Sequence, residues 1–115
     1  MHLLLIHQNF PGQFRDLGPA WLAAGHRITA IGNTTSPEES SAWEGLEHYH
    51  YTWPDDHEPT ANERGLAVAQ LCRQLHSDGL APNVVIAHSG WGAALHLAGI
   101  WADTPLAVLP ELWGP

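Results

Sequence analysis

The sequence predicts an α/β fold built on a parallel β-sheet. Continuous apolar runs at residues 3–6 and 84–87 are typical of strands that are covered on both faces. Segments with helical spacing alternate with such runs, which indicates βαβ units. Both runs also lead into polar, glycine-containing loops that open helices. Together these observations predict a three-layer Rossmann-like half with strand order 3-2-1-4-5, in which the first and fourth strands meet at the switch point.

The first half of the chain supplies the elements on one side of the sheet. A proline–glycine pair breaks the pattern after the first strand, and a helix is expected at residues 17–25, where a glycine ends it. Residues 26–32 form the second predicted strand. Residues 46–51 alternate between apolar and polar positions, which is typical of a half-exposed strand near a sheet edge.

The second half begins with a capping box. Thr60 and Glu63 are spaced so that the hydroxyl and the carboxylate each accept a hydrogen bond from the other residue's backbone amide. The helix that follows ends at Gly79. Its apolar positions, at helical spacing, are Val68, Leu71, Cys72 and Leu75. The remaining predicted elements are a strand at 83–87, a helix at 93–101 and a strand at 106–109.

Composition argues against several classes of partner. The net charge is -8, with no lysine and four arginines, so neither nucleic acid nor an anionic membrane surface is an expected partner. No apolar run approaches the roughly 20 residues that span a bilayer. The lone Cys72 cannot form an internal disulfide and is predicted to be a small core residue. A cytoplasmic location is the default expectation.

Two loops carry the candidate site. Ligands of parallel α/β sheets bind at the carboxyl ends of strands, so the loops at residues 7–12 and 88–92 are predicted to line one crevice. Backbone amides around Gly12 could face an anion at a helix start, or Pro11 and Gly12 could simply turn the chain. The G-x-G-x-x-G pattern of dinucleotide sites is missing. His88 could donate a hydrogen bond to a sugar hydroxyl or a carbonyl, or be structural, and Trp91 could stack on a sugar ring.

Two further chemistries are weighed and disfavoured. Ser89 follows a strand and precedes a predicted helix, as a hydrolase nucleophile does, but Trp91 is too large for that turn and no histidine follows His96. His48 and His50 share one face of a predicted strand and could hold a metal ion. They lack a third ligand at a defined spacing, so a solvated acidic edge is the preferred interpretation.

Two longer motifs carry a resemblance to a known family. Residues 7–14 read H-Q-N-F-P-G-Q-F, and residues 82–92 read P-N-V-V-I-A-H-S-G-W-G. Both strings, in this order and at this separation, resemble a bacterial group of family-4 glycosyltransferases. The resemblance implies the GT-B architecture, in which two Rossmann-like domains face each other across a cleft. It also implies transfer of a sugar, with retention, from a nucleotide-sugar donor to an acceptor hydroxyl, without a metal or another cofactor.

The resemblance also implies roles for individual residues. His88 corresponds to the histidine placed near the transferred sugar, and is the expected catalytic residue. The residues expected to face the donor phosphates are Asn9, Pro11, Gly12 and Gln13. Those expected to face the acceptor or the sugar are His7, Ser89, Gly90, Trp91 and Glu111. The sequence departs from the family pattern at Asn83, where aspartate is usual, and at Ser89.

The resemblance implies that residues 1–115 form a single, partial Rossmann-like domain. This domain would be the N-terminal, acceptor-side part of a GT-B enzyme, without its C-terminal donor domain. Expected partners are a nucleotide-sugar and an acceptor glycan or small molecule, with possible association through the incomplete domain edge. Because the arginines do not cluster at strand ends, a phosphate clamp is not expected and the isolated chain should lack transferase activity. The alternative is a stand-alone Rossmann-like binding or interaction module without catalysis.

Overall fold

A parallel sheet forms the centre of the chain in the computed structural model, which describes residues 1–7, 17–32, 45–51, 60–88, 96–97 and 99–109. Over these residues the sheet has five strands in the order β3-β2-β1-β4-β5. The strands are β1 (His2–Ile6), β2 (Arg27–Gly32), β3 (Glu47–His50), β4 (Val84–His88) and β5 (Leu106–Leu109). All four neighbouring pairs are parallel, which confirms the predicted order and sheet type.

The central strand β1 is buried along its whole length. It pairs with β2 on one side and with β4 on the other, in a register that sets Ile6 opposite both Ile31 and Ala87. Because both edges are hydrogen-bonded and both faces are covered, every position of β1 is excluded from water. This explains why the sequence of β1 is a continuous apolar run rather than an alternating one.

Two helices cover opposite faces of the sheet and complete the three predicted layers. Helix α1 (Leu17–Ala23) places Trp21 and Leu22 against the face that carries Leu3 and Leu5. Helix α2 (Ala61–Ser77) covers the face that carries Leu4 and Ile6. Its buried apolar residues there are Val68, Cys72 and Leu75. The two faces follow from the period of two along β1, which sends successive side chains to opposite sides.

Local signals set the ends of α2 as predicted. The Thr60 hydroxyl accepts a hydrogen bond from the Glu63 amide at 3.1 Å, and a Glu63 carboxylate oxygen accepts one from the Thr60 amide at 3.0 Å. These bonds satisfy two amides that have no partner within the helix. At the other end, Gly79 has a φ of 98°, a left-handed conformation that side chains disfavour.

Three expectations from the sequence need correction. The helix predicted at 93–101 is replaced by turns over its described residues, 96–97 and 99–101. Gly99 has a φ of 84°, and the Trp101 indole donates to the Leu80 carbonyl oxygen at 2.8 Å. These features fix turns in place of a continuous helix. Strand β4 extends to His88, one residue later than expected. The helical spacing of Leu17, Gly18 and Trp21 in the sequence predicts one apolar side of α1 that includes all three, but Leu17 is 50% exposed.

Neither helix of the described residues has the length and apolarity needed to cross a membrane.

Candidate functional site

His7 and His88 lie side by side at the carboxyl edge of the sheet. His88 is the last residue of β4, and His7 directly follows β1. The register that pairs Ile6 with Ala87 makes the next residue of each strand a neighbour. After β1 the chain continues to β2, which lies on one side of β1, whereas β4 lies on the other side. The carboxyl ends of β1 and β4 therefore form the topological switch point of the sheet. The predicted meeting of the two strand ends is therefore found for these two residues.

The imidazole rings of His7 and His88 stack on each other. Their centroids are 4.3 Å apart and the ring planes differ by 25°. Only 7% of His7 and 2% of His88 is exposed. The His7 backbone is also held, because its amide donates to the Ile31 carbonyl oxygen at 3.1 Å. Stacked aromatic pairs contribute about 0.5–1.5 kcal/mol beyond their burial, so the stack favours one relative orientation of the two rings.

One ring nitrogen of His88 is buried without a partner. Its Nδ1 atom has no hydrogen bond to any residue that the structure describes. For backbone groups, a buried N–H without an acceptor is rarer in proteins than an under-satisfied carbonyl oxygen, and we apply the same preference to the two ring nitrogens. We therefore assign the proton of the neutral ring to Nε2, which makes Nε2 the hydrogen-bond donor and leaves Nδ1 as an unfilled acceptor.

Sequence reasoning did not select Tyr51 and Arg64, which lie at the same end of the sheet. The Tyr51 amide continues the pairing beyond β3 by donating to the Gly32 carbonyl oxygen at 3.2 Å. Arg64 stands in the first turn of α2 and is 4% exposed. Burial raises the pKa of the Tyr51 phenol, and the nearby Arg64 guanidinium opposes that rise. The sequence signal that could have pointed to Arg64 was the capping box at Thr60 and Glu63, because it places Arg64 in the first turn of a helix that follows the end of a strand.

The other arginines of the described residues lie elsewhere. Arg27 opens β2 at the amino edge, where it forms an ion pair with Glu47, and Arg73 is exposed on α2. Of these three described arginines, only Arg64 lies near the carboxyl edge of the sheet. The expectation that arginines do not cluster at the strand ends therefore agrees with the positions of Arg27, Arg64 and Arg73.

Most of the candidate residues lie outside the described part of the chain. Of the ten residues selected from the sequence, the structure describes His7 and His88 and brings them into contact. The eight candidates that lie outside it are Asn9, Pro11, Gly12, Gln13, Ser89, Gly90, Trp91 and Glu111. Their proximity to the histidine pair stays a prediction.

The histidines of β3 form a second, looser pair. The rings of His48 and His50 are 4.4 Å apart and tilted by 46°. Burial, and then the nearby His50, lowers the pKa of His48. Within the described ranges, no three His, Cys, Asp or Glu side chains are grouped closely enough to hold a metal ion.

The amino edge of the sheet is built from structural contacts. The Asn83 side-chain oxygen accepts a hydrogen bond from the His2 amide at 2.6 Å, and the Asn83 amide donates to the His2 carbonyl oxygen at 2.8 Å. His2 Nε2 lies 2.7 Å from the Thr29 hydroxyl oxygen. Asn83 therefore joins the starts of β4 and β1 and lies at the opposite end of the strands from His88.

An apolar cavity of about 160 Å³ lies between the sheet and the turns that precede β5. Val85, Leu97 and Leu106 line it. Val85 and Leu106 pair with each other near the starts of β4 and β5, so the cavity lies toward the amino ends of these strands rather than at the carboxyl edge. A binding pocket needs convergent polar groups as well as apolar walls, and the histidine pair supplies none to this cavity.

Comparison with known proteins identifies the family. The sequence profile of the glycosyl transferase family 4 group matches residues 24–113. No curated protein matches the chain. Among solved structures, the glycotransferase of kitacinnamycin is 16% identical with a TM-score of 0.68, and the match covers 97% of this chain. It covers 31% of that chain, so the present chain spans about a third of the length of this enzyme.

A second solved structure with a similar fold belongs to a protein of a different kind. The C-terminal domain of a hydrogenase from Pyrococcus furiosus is 12% identical with a TM-score of 0.65, and the match covers 93% of this chain and 88% of that domain. At such identities both structural matches speak for the fold alone. The family profile, which spans more than three quarters of the sequence, carries the assignment: the chain belongs to the glycosyl transferase family 4 group.

Proposed function

We propose that this chain is the acceptor-side domain of a retaining glycosyltransferase of the GT-B type. The enzyme would transfer a sugar from a nucleotide-sugar donor to the hydroxyl of an acceptor glycan or small molecule. Family membership supports a glycosyltransferase domain. The donor class, the retention of configuration and the GT-B architecture are parts of the proposal.

The observation that carries the proposal is the stacked histidine pair at the switch point. In parallel α/β sheets this is where ligands bind. The polar His88 side chain is held there at 2% exposure, and its Nδ1 has no protein partner among the described residues. Leaving a buried polar atom unpaired costs about 1–3 kcal/mol. Among the described residues the Nδ1 atom of His26 is also unpaired, but His26 precedes β2 at the amino edge, so the position of His88 at the switch point is what supports a ligand site here.

The proposed step exchanges one bond at the anomeric carbon of the sugar. The bond from that carbon to the diphosphate oxygen breaks, and the acceptor oxygen bonds to the same face. The acceptor hydroxyl proton passes to the departing nucleoside diphosphate. His88 Nε2 donates a hydrogen bond to an oxygen of the transferred sugar, which holds the anomeric carbon in place as positive charge develops on it.

The proposal assigns most of the donor contacts to a second domain across the cleft. The described arginines support this division, because only Arg64 is buried near the carboxyl edge. The match to 31% of a longer glycosyltransferase chain supports it as well. We therefore expect the isolated 115-residue chain to bind sugars or nucleotide-sugars weakly and to catalyse no transfer.

Saturation-transfer NMR on the isolated chain tests the proposal. The ligands are uridine, guanosine and thymidine diphosphate sugars together with simple glycosides. The key variant is His88→Phe, which keeps a flat ring against His7 but removes both nitrogens. His76→Phe, on the exposed surface of α2, is the matched control. Loss of one hydrogen bond worth about 0.5–1.5 kcal/mol predicts about 2- to 12-fold weaker binding in His88→Phe and no change in His76→Phe.

Three outcomes would contradict the proposal. Absence of binding to every nucleotide-sugar and glycoside would favour a non-catalytic Rossmann-like module. Equal affinity of His88→Phe and the unchanged protein would remove His88 from the site. Turnover of a nucleotide-sugar by the isolated chain would contradict the division between two domains.

A further inference from the structure

We propose that His7 is a positioning residue that fixes the ring plane of His88, and that it does not itself contact the sugar. The inference rests on the proposed function only in its assumption that His88 meets the ligand. It assigns different roles to two histidines that their places in the strands do not distinguish, since each lies at the carboxyl end of an apolar strand at the same edge of the sheet. It departs from the expectation, drawn from the family resemblance, that His7 faces the acceptor or the sugar.

The first argument is that His88 lacks the usual means of fixing a ring. A histidine that acts through one nitrogen is normally oriented by a hydrogen bond from the other. His88 Nδ1 has no such bond within the described residues. Rotation about χ2 of histidine is broad and roughly two-fold, so packing must choose the orientation where no hydrogen bond does.

The second argument is that the stacked ring of His7 supplies that packing. It lies 4.3 Å from the His88 ring with an interplanar angle of 25°, which leaves His88 little freedom to tilt. The His7 ring is itself well placed to act as a support, because its backbone amide is bonded to Ile31 of β2 at 3.1 Å. The support therefore continues through β1 into the rigid centre of the sheet.

The third argument concerns exposure. His7 is 7% exposed, and one of its two faces lies against His88. The residual surface is too small for a sugar ring to stack on, since stacking needs an open aromatic face. The ring face of His7 is thus used by its contact with His88 and not by a stacked ligand. His88, which is 2% exposed, is assigned an edge contact only, a hydrogen bond from Nε2, and that contact needs no open ring face.

The test compares variants that keep or remove the flat ring at position 7. His7→Phe preserves a planar ring without nitrogens, His7→Leu has a similar volume without a plane, and His7→Met is a flexible second non-planar variant. Ring ¹⁵N and ¹³C NMR signals of His88 in the isolated chain report its tautomer and orientation. Far-ultraviolet circular dichroism and urea unfolding identify any variant that has lost the fold. If either His7→Leu or His7→Met is unfolded, the comparison uses the other of these two non-planar variants.

We expect one set of His88 ring signals, with the proton on Nε2, in the unchanged protein and in His7→Phe. In His7→Leu and His7→Met we expect a second set or broadened signals from mixed orientations. Binding of the nucleotide-sugar or glycoside that binds best to the unchanged chain should weaken in the non-planar variants and be restored in His7→Phe. A purely structural role of His7 would alter stability without changing the His88 tautomer.

The outcomes separate this inference from the proposed function. Unchanged His88 signals in the folded non-planar variants would overturn the positioning role, whatever the ligand results. Disturbed signals in His7→Phe would show that a nitrogen of His7, and not its ring face, acts on His88, and would also overturn it. If the His88 signals respond as expected while His88→Phe binds sugars normally, the positioning role stands and the proposed function fails.

Discussion

Replacing Leu4 by alanine tests the packing of the central strand. Leu4 is fully buried in β1 and belongs to the core cluster beneath α2, with Ile31 and Val68 among its members. The change removes three carbon groups at about 0.8 kcal/mol each, or about 2.4 kcal/mol in total. The cavity left behind raises the expected loss of unfolding free energy to about 2.7–5.0 kcal/mol. That is a large part of the roughly 5–15 kcal/mol of a typical domain.

Urea unfolding followed by tryptophan fluorescence and circular dichroism measures this loss. With a slope of about 1–3 kcal/mol per molar urea, the midpoint should fall by about 1 M or more. Leu66→Ala on α2 is the matched control, because Leu66 is 47% exposed and its truncation should change stability by less than about 0.5 kcal/mol. Equal midpoints for the two variants would refute the placement of β1 at the centre of the sheet.

Three further predictions follow from α2 and the amino edge. Thr60→Ala should destabilise the chain by about 0.5–2 kcal/mol in urea unfolding, and an unchanged midpoint would argue against the capping box. Burial raises the pKa of the Cys72 thiol to about 12. At pH 8 this thiol should therefore react with a disulfide reagent roughly a thousandfold or more slower than a free cysteine. Labelling at the rate of a free cysteine would contradict the burial of Cys72. Burial, and then the nearby Arg27, lowers the pKa of His2 below its ordinary value of about 6.5. The neutral His2 side chain should therefore contribute stability that is fully present above about pH 6.5 and is lost as the pH falls through the lowered pKa of the folded protein. The urea midpoint should therefore decrease below about pH 6.5, and His2→Gln should flatten this dependence; an equal slope in the variant would contradict the assignment.

The strand order could be predicted because its determinants are local. Apolar runs mark β1 and β4, the capping box at Thr60 starts α2, and Gly79 ends it. Strands joined by helical crossovers must then be parallel, and few arrangements of such strands occur. From this order alone, the side-by-side placement of His7 and His88 follows.

Side-chain geometry and long-range contacts could not be predicted in the same way. The stacking of His7 on His88 depends on the rotamers of two residues that are 81 positions apart. The burial of Arg64 depends on how the first turn of α2 packs, and its sequence neighbours suggest only a solvated turn. At residues 99–101, local helix propensity is overridden by the hydrogen bond from Trp101 to the Leu80 carbonyl oxygen, which no local pattern reveals.

The family resemblance added what spacing alone left open. From spacing, His88 could be structural or ligand-binding, and the residues 7–12 could be a plain turn. The match of the family profile to residues 24–113 supports the glycosyltransferase assignment independently of the motif at residues 7–14, which lies outside the matched range. The chemistry of donor and acceptor stays a proposal, because the family match does not identify either.

Chemical-shift mapping tests the central claim most directly. The ¹H–¹⁵N and ring signals of the chain are recorded with and without the nucleotide-sugar or glycoside that binds best. We predict that the largest changes occur at the carboxyl edge, in the ring of His88 and the backbone around His7, while His2 and Arg27 at the amino edge stay unchanged. Changes centred on His2 and Arg27, with none at His88, would contradict the placement of the ligand site at the switch point.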